Sequence, residues 1–172
     1  VTNNRFTGMA SELNTAIAVS SSGVGVQSNL LLSNNYIRGK FLNGIQIANT
    51  ITTGTVSVTN NDIVEEATVN MGSCINLASP IGLVQVSGNN MLHTTGFAFS
   101  SIATTSAATV ANIYDNSITA PIALRGAATN YAGVIQDSPT AVEARIDNNW
   151  VKGQITASFH RGLTIAAGVI TI

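Results

Sequence analysis

The chain has 172 residues with a net charge of -1, and only 9% of them are charged and 5% aromatic. Its lysines and arginines are scattered, which excludes the basic stripe of a nucleic-acid reader and the polybasic anchor of a membrane-surface protein. No apolar run approaches the roughly 20 residues of a membrane-spanning helix. Ala, Thr, Ser, Val, Ile, Gly and Asn dominate instead, a mixture that suits closely stacked strands and gives no convincing helix.

The first element is the phrase VTNNRF at Val1: an apolar residue, any residue, a turn former, Asn, any residue, an apolar residue. It returns as LSNNYI at Leu32, VTNNDI at Val58, VSGNNM at Val86, IYDNSI at Ile113 and IDNNWV at Ile146. The shared residues Asn4, Asn35, Asn61, Asn89, Asn116 and Asn149 are spaced by 31, 26, 28, 27 and 33 residues. Such a period marks stacked supersecondary units. A tight bend between strands needs a residue that tolerates the left-handed conformation; Asn does so, and stacked copies can bond one another as a ladder. These asparagines therefore read as scaffold.

Between copies of the phrase, two apolar residues alternate: Ile17 and Val19, Ile45 and Ile47, Ile75 and Leu77, Phe97 and Phe99, Ile122 and Leu124. A third set leads into the phrase: Val56 and Val58, Val84 and Val86, and more weakly Val110 with Ile113 and Val142 with Ile146. Alternation with period two predicts strands with one buried face. The stretch Ile102 to Val110 reads as loop surface that a neighbouring subunit could cover, and LTIAAGVITI from Leu163 as a last strand pair. Three short strands per repeat of roughly 28 residues can wind as one coil of a parallel β-helix, each strand pairing with its equivalent about 4.8 Å away. The expected fold is all-β, a single-stranded parallel β-helix of about six coils, in one domain over residues 1–172. Because the chain opens inside a repeat without a capping unit, it reads as a piece of a longer protein.

Aligning residues after the shared Asn gives two columns across the repeats. The first is Arg5, Tyr36, Asp62, Asn90, Ser117 and Trp150; the second is Gly8, Gly39, Glu65, His93, Ala120 and Gly153. Taken as outward-facing, the second column sets Glu65 beside His93 on neighbouring coils, with Glu66 and Arg38 nearby. A carboxylate beside a histidine is the equipment for general acid and base work on a sugar chain. Glu65 and His93 are thus the candidate catalytic pair, and Arg38 a binder of an acidic sugar. An exposed ion pair on an ordinary surface fits the same residues. Tyr36 and Trp150, some four coils apart, fit either two contacts with an oligosaccharide or a protein interface. The single cysteine, Cys74, can form no intrachain disulfide, and one thiol makes no metal site. No metal or cofactor is implied.

The coil length, the asparagine turns and the short strands rich in Ser, Thr, Ala and Gly resemble the right-handed parallel β-helix of the pectate-lyase-like superfamily. The low-charge style is most similar to tailspikes and related appendages of tailed bacteriophages. The resemblance implies an extracellular virion tail component, a homotrimer in company with other tail proteins, that recognises bacterial surface polysaccharide. The paired aspartates, Asn-Thr-Asp and Gly-His-Gly phrases of the polygalacturonase type are absent, as is the acidic cluster of the calcium-dependent pectate lyases, so no catalytic residue carries over. Three readings follow: a structural and receptor-binding segment of a tailspike or fibre, a polysaccharide lyase or glycoside hydrolase, and the passenger of a bacterial surface adhesin.

Overall fold

The computed structural model describes residues 1–10, 14–19, 29–48, 54–66, 71–77, 82–94, 98–104, 110–120, 132–136, 143–153, 160–164 and 169–171. Within them lie eighteen strands in three six-stranded sheets. The first sheet takes β1 (Arg5–Ala10), β4 (Tyr36–Lys40), β7 (Asp62–Glu65), β10 (Asn90–His93), β13 (Ser117–Ala120) and β16 (Trp150–Gly153), in that order. The second takes β2 (Thr15–Val19), β5 (Asn43–Ile47), β8 (Met71–Leu77), β11 (Ala98–Thr104), β14 (Ala132–Gln136) and β17 (His160–Thr164). The third takes β3 (Asn29–Ser33), β6 (Thr55–Thr59), β9 (Leu83–Ser87), β12 (Val110–Tyr114), β15 (Glu143–Asp147) and β18 (Val169–Thr171). Every strand pairs in parallel with the strand three places along the chain, so each sheet gathers one strand from each repeat. The protein is all-β with stacked parallel sheets, compatible with a parallel β-helix.

The asparagine phrase builds the corner between the third and first sheets. Asn3, Asn34, Asn60, Gly88, Asp115 and Asn148 all have positive φ, between 48° and 64°. The left-handed residue is therefore the one before the shared Asn, which explains why that position accepts Asn, Gly or Asp. The shared Asn has a different duty. Asn35 donates its backbone N–H and its Nδ2 to Oδ1 of Asn61 at 3.0 and 2.9 Å, Asn61 does the same to Asn89, and Asn89 to Asn116. Each Nδ2 also reaches a carbonyl of the preceding repeat, as from Asn61 to Leu32 at 3.0 Å. Asn35, Asn61, Asn89 and Asn116 are buried, and the ladder satisfies amides that would otherwise be orphaned at a sheet corner.

The core is a set of apolar ladders. Ile37, Ile63, Met91 and Ile118 line the first sheet, and Leu32, Val58, Val86, Ile113 and Ile146 the third, all buried. In the second sheet Ile17, Ile45, Ile75 and Ile102 stand in register, and Ile102 pairs on with Ile135. This corrects two expectations. The fourth member of that ladder is Ile102, fully buried, where Phe97 and Phe99 were expected and Ile102 was assigned to loop surface. Phe97, Ile122, Leu124 and Val142 lie outside the described residues. The terminal LTIAAGVITI contributes to β17 and β18, which do not pair with each other but join different sheets, through β14 and β15.

Candidate functional site

The first column is realised in full. Arg5 pairs with Tyr36, Tyr36 with Asp62, Asp62 with Asn90, Asn90 with Ser117 and Ser117 with Trp150. Because Ile37, Ile63, Met91 and Ile118 point inward, the residues either side of them point out. The outer face of the first sheet thus carries this column and, two residues on, Thr7, Arg38, Val64, Leu92, Thr119 and Lys152. The Arg5 guanidinium lies 5.1 Å from the centre of the Tyr36 ring, so one face of that ring is already covered. Asn90 donates to Asp62 at 2.9 Å. Arg38 and Glu66 pair at 2.8 Å, and this bond, with a further one that the guanidinium donates to the Tyr36 hydroxyl, raises the basicity of the guanidinium. Trp150 is left bare, 68% exposed, with Lys152 exposed on the same strand.

The second column has the expected register and the opposite facing. Gly39 pairs with Glu65, Glu65 with His93, and Ala120 with Gly153, while Gly8 bulges out and Met9 takes its place opposite Gly39. Glu65 and His93 are 0% exposed. The expectation of an outward pair fails on parity: both lie two residues beyond the inward Ile63 and Met91, and alternate residues of a strand share a face.

Inside, the pair meets two residues from the second sheet. His93 Nδ1 lies 3.5 Å from Glu65 Oε2, and His93 Nε2 shares a 2.5 Å hydrogen bond with Ser101 Oγ. Cys74 Sγ stands 3.7 Å from the same Nε2. Nδ1 makes no hydrogen bond, and its contact with Glu65 is an ion pair only when the imidazole is protonated. Burial first, and the Glu65 charge second, push the Cys74 thiol well above its ordinary pKa, which keeps it neutral. All four side chains are 0% exposed.

Carboxylate to Nδ1, and Nε2 to hydroxyl, is the sequence of contacts by which a triad activates a nucleophile. Here it is buried in the interior, away from the outer face of the sheet. Cys74 and Ser101 were not anticipated. Each directly precedes the buried isoleucine of its strand, Ile75 and Ile102, and a correct alignment of the second-sheet strands would have brought them together.

Among the described residues no group of three or more His, Cys, Asp or Glu is arranged to hold a metal ion, and no helix is long and apolar enough to cross a membrane. Comparison with family models, with curated proteins and with solved structures returned no match for this chain.

Proposed function

We propose that this chain is a right-handed parallel β-helical solenoid of the pectate-lyase-like type, acting as the structural and receptor-binding segment of a bacteriophage tailspike or fibre. In that role it is an extracellular virion component, a homotrimer joined to other tail proteins, and it binds bacterial surface polysaccharide. The supporting observation is the outer column of the first sheet. Trp150 offers a bare ring, and Ser117, Asn90 and Asp62 follow it in register at steps of about 4.8 Å. An aromatic platform continued by hydroxyl, amide and carboxylate groups suits the apolar face and hydroxyl edge of a saccharide.

Within this reading Trp150 is the main stacking residue. Tyr36, about 19 Å away by strand spacing, contributes its uncovered side, with the Arg38 and Glu66 pair beside it. Burial of Glu65 and His93 weighs against the lyase or glycosidase reading, which requires them to touch a glycan.

The test combines two measurements on the purified chain. Light scattering on a size-exclusion column is expected to give a mass near three chains. Binding to isolated capsular and lipopolysaccharide glycans is expected to fall at least about tenfold in Trp150→Ala. A monomer whose glycan binding ignores Trp150, or which depolymerises the glycan, refutes the reading.

A further inference from the structure

We infer that Trp150 and Lys152 together form a subsite for one acidic sugar, its pyranose ring stacked on the indole and its carboxylate on the ammonium group; the inference rests on the glycan-binding reading above. The two residues alternate with Val151 on β16, so they point to the same side of the strand about 6.5 Å apart, the scale of a single pyranose ring. Both are exposed. On the neighbouring strand β13, Ser117 stands opposite Trp150 and Thr119 opposite Lys152, so the pair has two hydroxyl groups beside it and no acidic side chain.

Lys152 differs from the arginines around it. Arg38 is bound to Glu66, and Arg5 lies over the Tyr36 ring. Around the corner Arg145 pairs with Asp147 at 2.9 Å, and Asp115 accepts a bond from Asn148. Among the described residues Lys152 has no carboxylate partner. Asp62, the acid of the Trp150 column, is three strand steps away at about 14 Å, beyond the roughly 8 Å over which exposed charges act in physiological salt. The positive charge beside Trp150 is therefore uncompensated. A single ammonium answers a monoanionic carboxylate, whereas a phosphate calls for several donors or a guanidinium fork, which this position lacks. The acid-binding role thus passes from Arg38, whose charge Glu66 already answers, to Lys152. Stacking on the indole is indifferent to the charge of a ring substituent, and an exposed ion pair adds only a modest preference that salt screens. Trp150 accordingly sets affinity and Lys152 sets selectivity.

The probes are polygalacturonate, alginate, hyaluronan and a uronate-bearing bacterial capsular polysaccharide, each as isolated and after reduction of its carboxylates to primary alcohols. At low salt at least one acidic polymer is expected to bind about threefold more tightly than its reduced form, and the preference is expected to fade as salt is raised to about 0.5 M. Trp150→Ala is expected to weaken both forms. Lys152→Gln is expected to remove the preference and leave the affinity for the reduced form unchanged, while Lys152→Arg keeps the preference. Because both side chains are exposed, circular dichroism and the urea midpoint of each variant are expected to match those of the native chain. Trp150-dependent binding with no preference for the acidic form, or a preference that survives in Lys152→Gln, overturns the subsite and leaves the glycan reading standing. Failure of every polymer to bind, or binding indifferent to Trp150, removes the platform on which both stand.

Discussion

Asn61 donates both its backbone N–H and its side-chain Nδ2 to a single oxygen, Oδ1 of Asn89, each at 2.9 Å. Asn89 in turn donates Nδ2 to Asn116 at 2.9 Å and to the Val58 carbonyl at 2.9 Å. The residue is a two-sided connector, with its acceptor toward the preceding repeat and its donors shared between the next repeat and a backbone carbonyl of the preceding one. Asn89→Leu strands the two Asn61 donors in a buried corner and removes a bond to the Val58 carbonyl. With a buried orphan costing about 1–3 kcal/mol, the loss is expected to be about 3 kcal/mol or more, read as a lower urea midpoint. Asn89→Asp keeps the acceptor and loses the donors, aiming a carboxylate at two oxygens. It is expected to be less stable at neutral pH than at a pH low enough to protonate it.

The left-handed residue beside each ladder position obeys another rule. Asn60→Gly is expected to shift stability by less than about 0.5 kcal/mol, because glycine adopts its φ of 55° without strain. Gly88→Ala meets two penalties at once. Its φ of 64° disfavours a side chain, and a Cβ there collides with Oδ1 of Asn60. The left-handed backbone alone costs about 1–2 kcal/mol, and the collision adds to it. Equal denaturation midpoints for the two variants contradict the assignment of this corner.

Ile102 decides which strand completes the second sheet. It is fully buried and paired with Ile75, so Ile102→Ala is expected to cost about 2–5 kcal/mol, as for any large core aliphatic. Ile102→Asp and Ile75→Asp are expected to abolish the cooperative transition by placing a carboxylate among apolar ladders. A surface residue at position 102 leaves the midpoint unchanged to within about 0.5 kcal/mol.

How much of this was legible follows from distance along the chain to the asparagine phrase. Strands of the first sheet begin one residue after the shared Asn, so Tyr36, Asp62, Asn90 and Trp150 fell into their true register by counting. Strands of the second sheet follow connections of unequal length, and counting forward from Asn89 stops at Phe97 when the structural partner of Ile75 is Ile102. The facing of Glu65 was lost for a different reason. Its chemistry argues for solvent and its parity with Ile63 argues for the interior. Parity prevails because His93, Ser101 and Cys74 supply polar company on the inside. Nothing in a single sequence reports such company until the second sheet is aligned. The asparagine ladder was legible as a ladder, while the left-handed residue proved to be its neighbour.

Cys74 carries the last prediction. Its thiol is buried beside the Glu65 carboxylate, and both burial and that charge hold its pKa well above the ordinary value of 9.0. In the unfolded chain the thiol ionises at that ordinary value. Above it the folded state binds more protons than the unfolded one, so stability is fully present below the free thiol's pKa and falls as pH rises toward the folded value. The contribution of this single proton is a slope of about 1.4 kcal/mol per pH unit. Chemical denaturation of the native chain and of Cys74→Ala from pH 8 to 10 isolates it, since every other titrating group is common to both. The native chain is expected to lose stability more steeply with alkali, although the alanine variant starts lower for want of the buried sulfur. Iodoacetamide, which requires the thiolate, is expected to leave native Cys74 unmodified at pH 8 and to react once urea unfolds the chain. Parallel pH profiles together with rapid native alkylation place Cys74 on the surface, and with it remove His93 from a closed core.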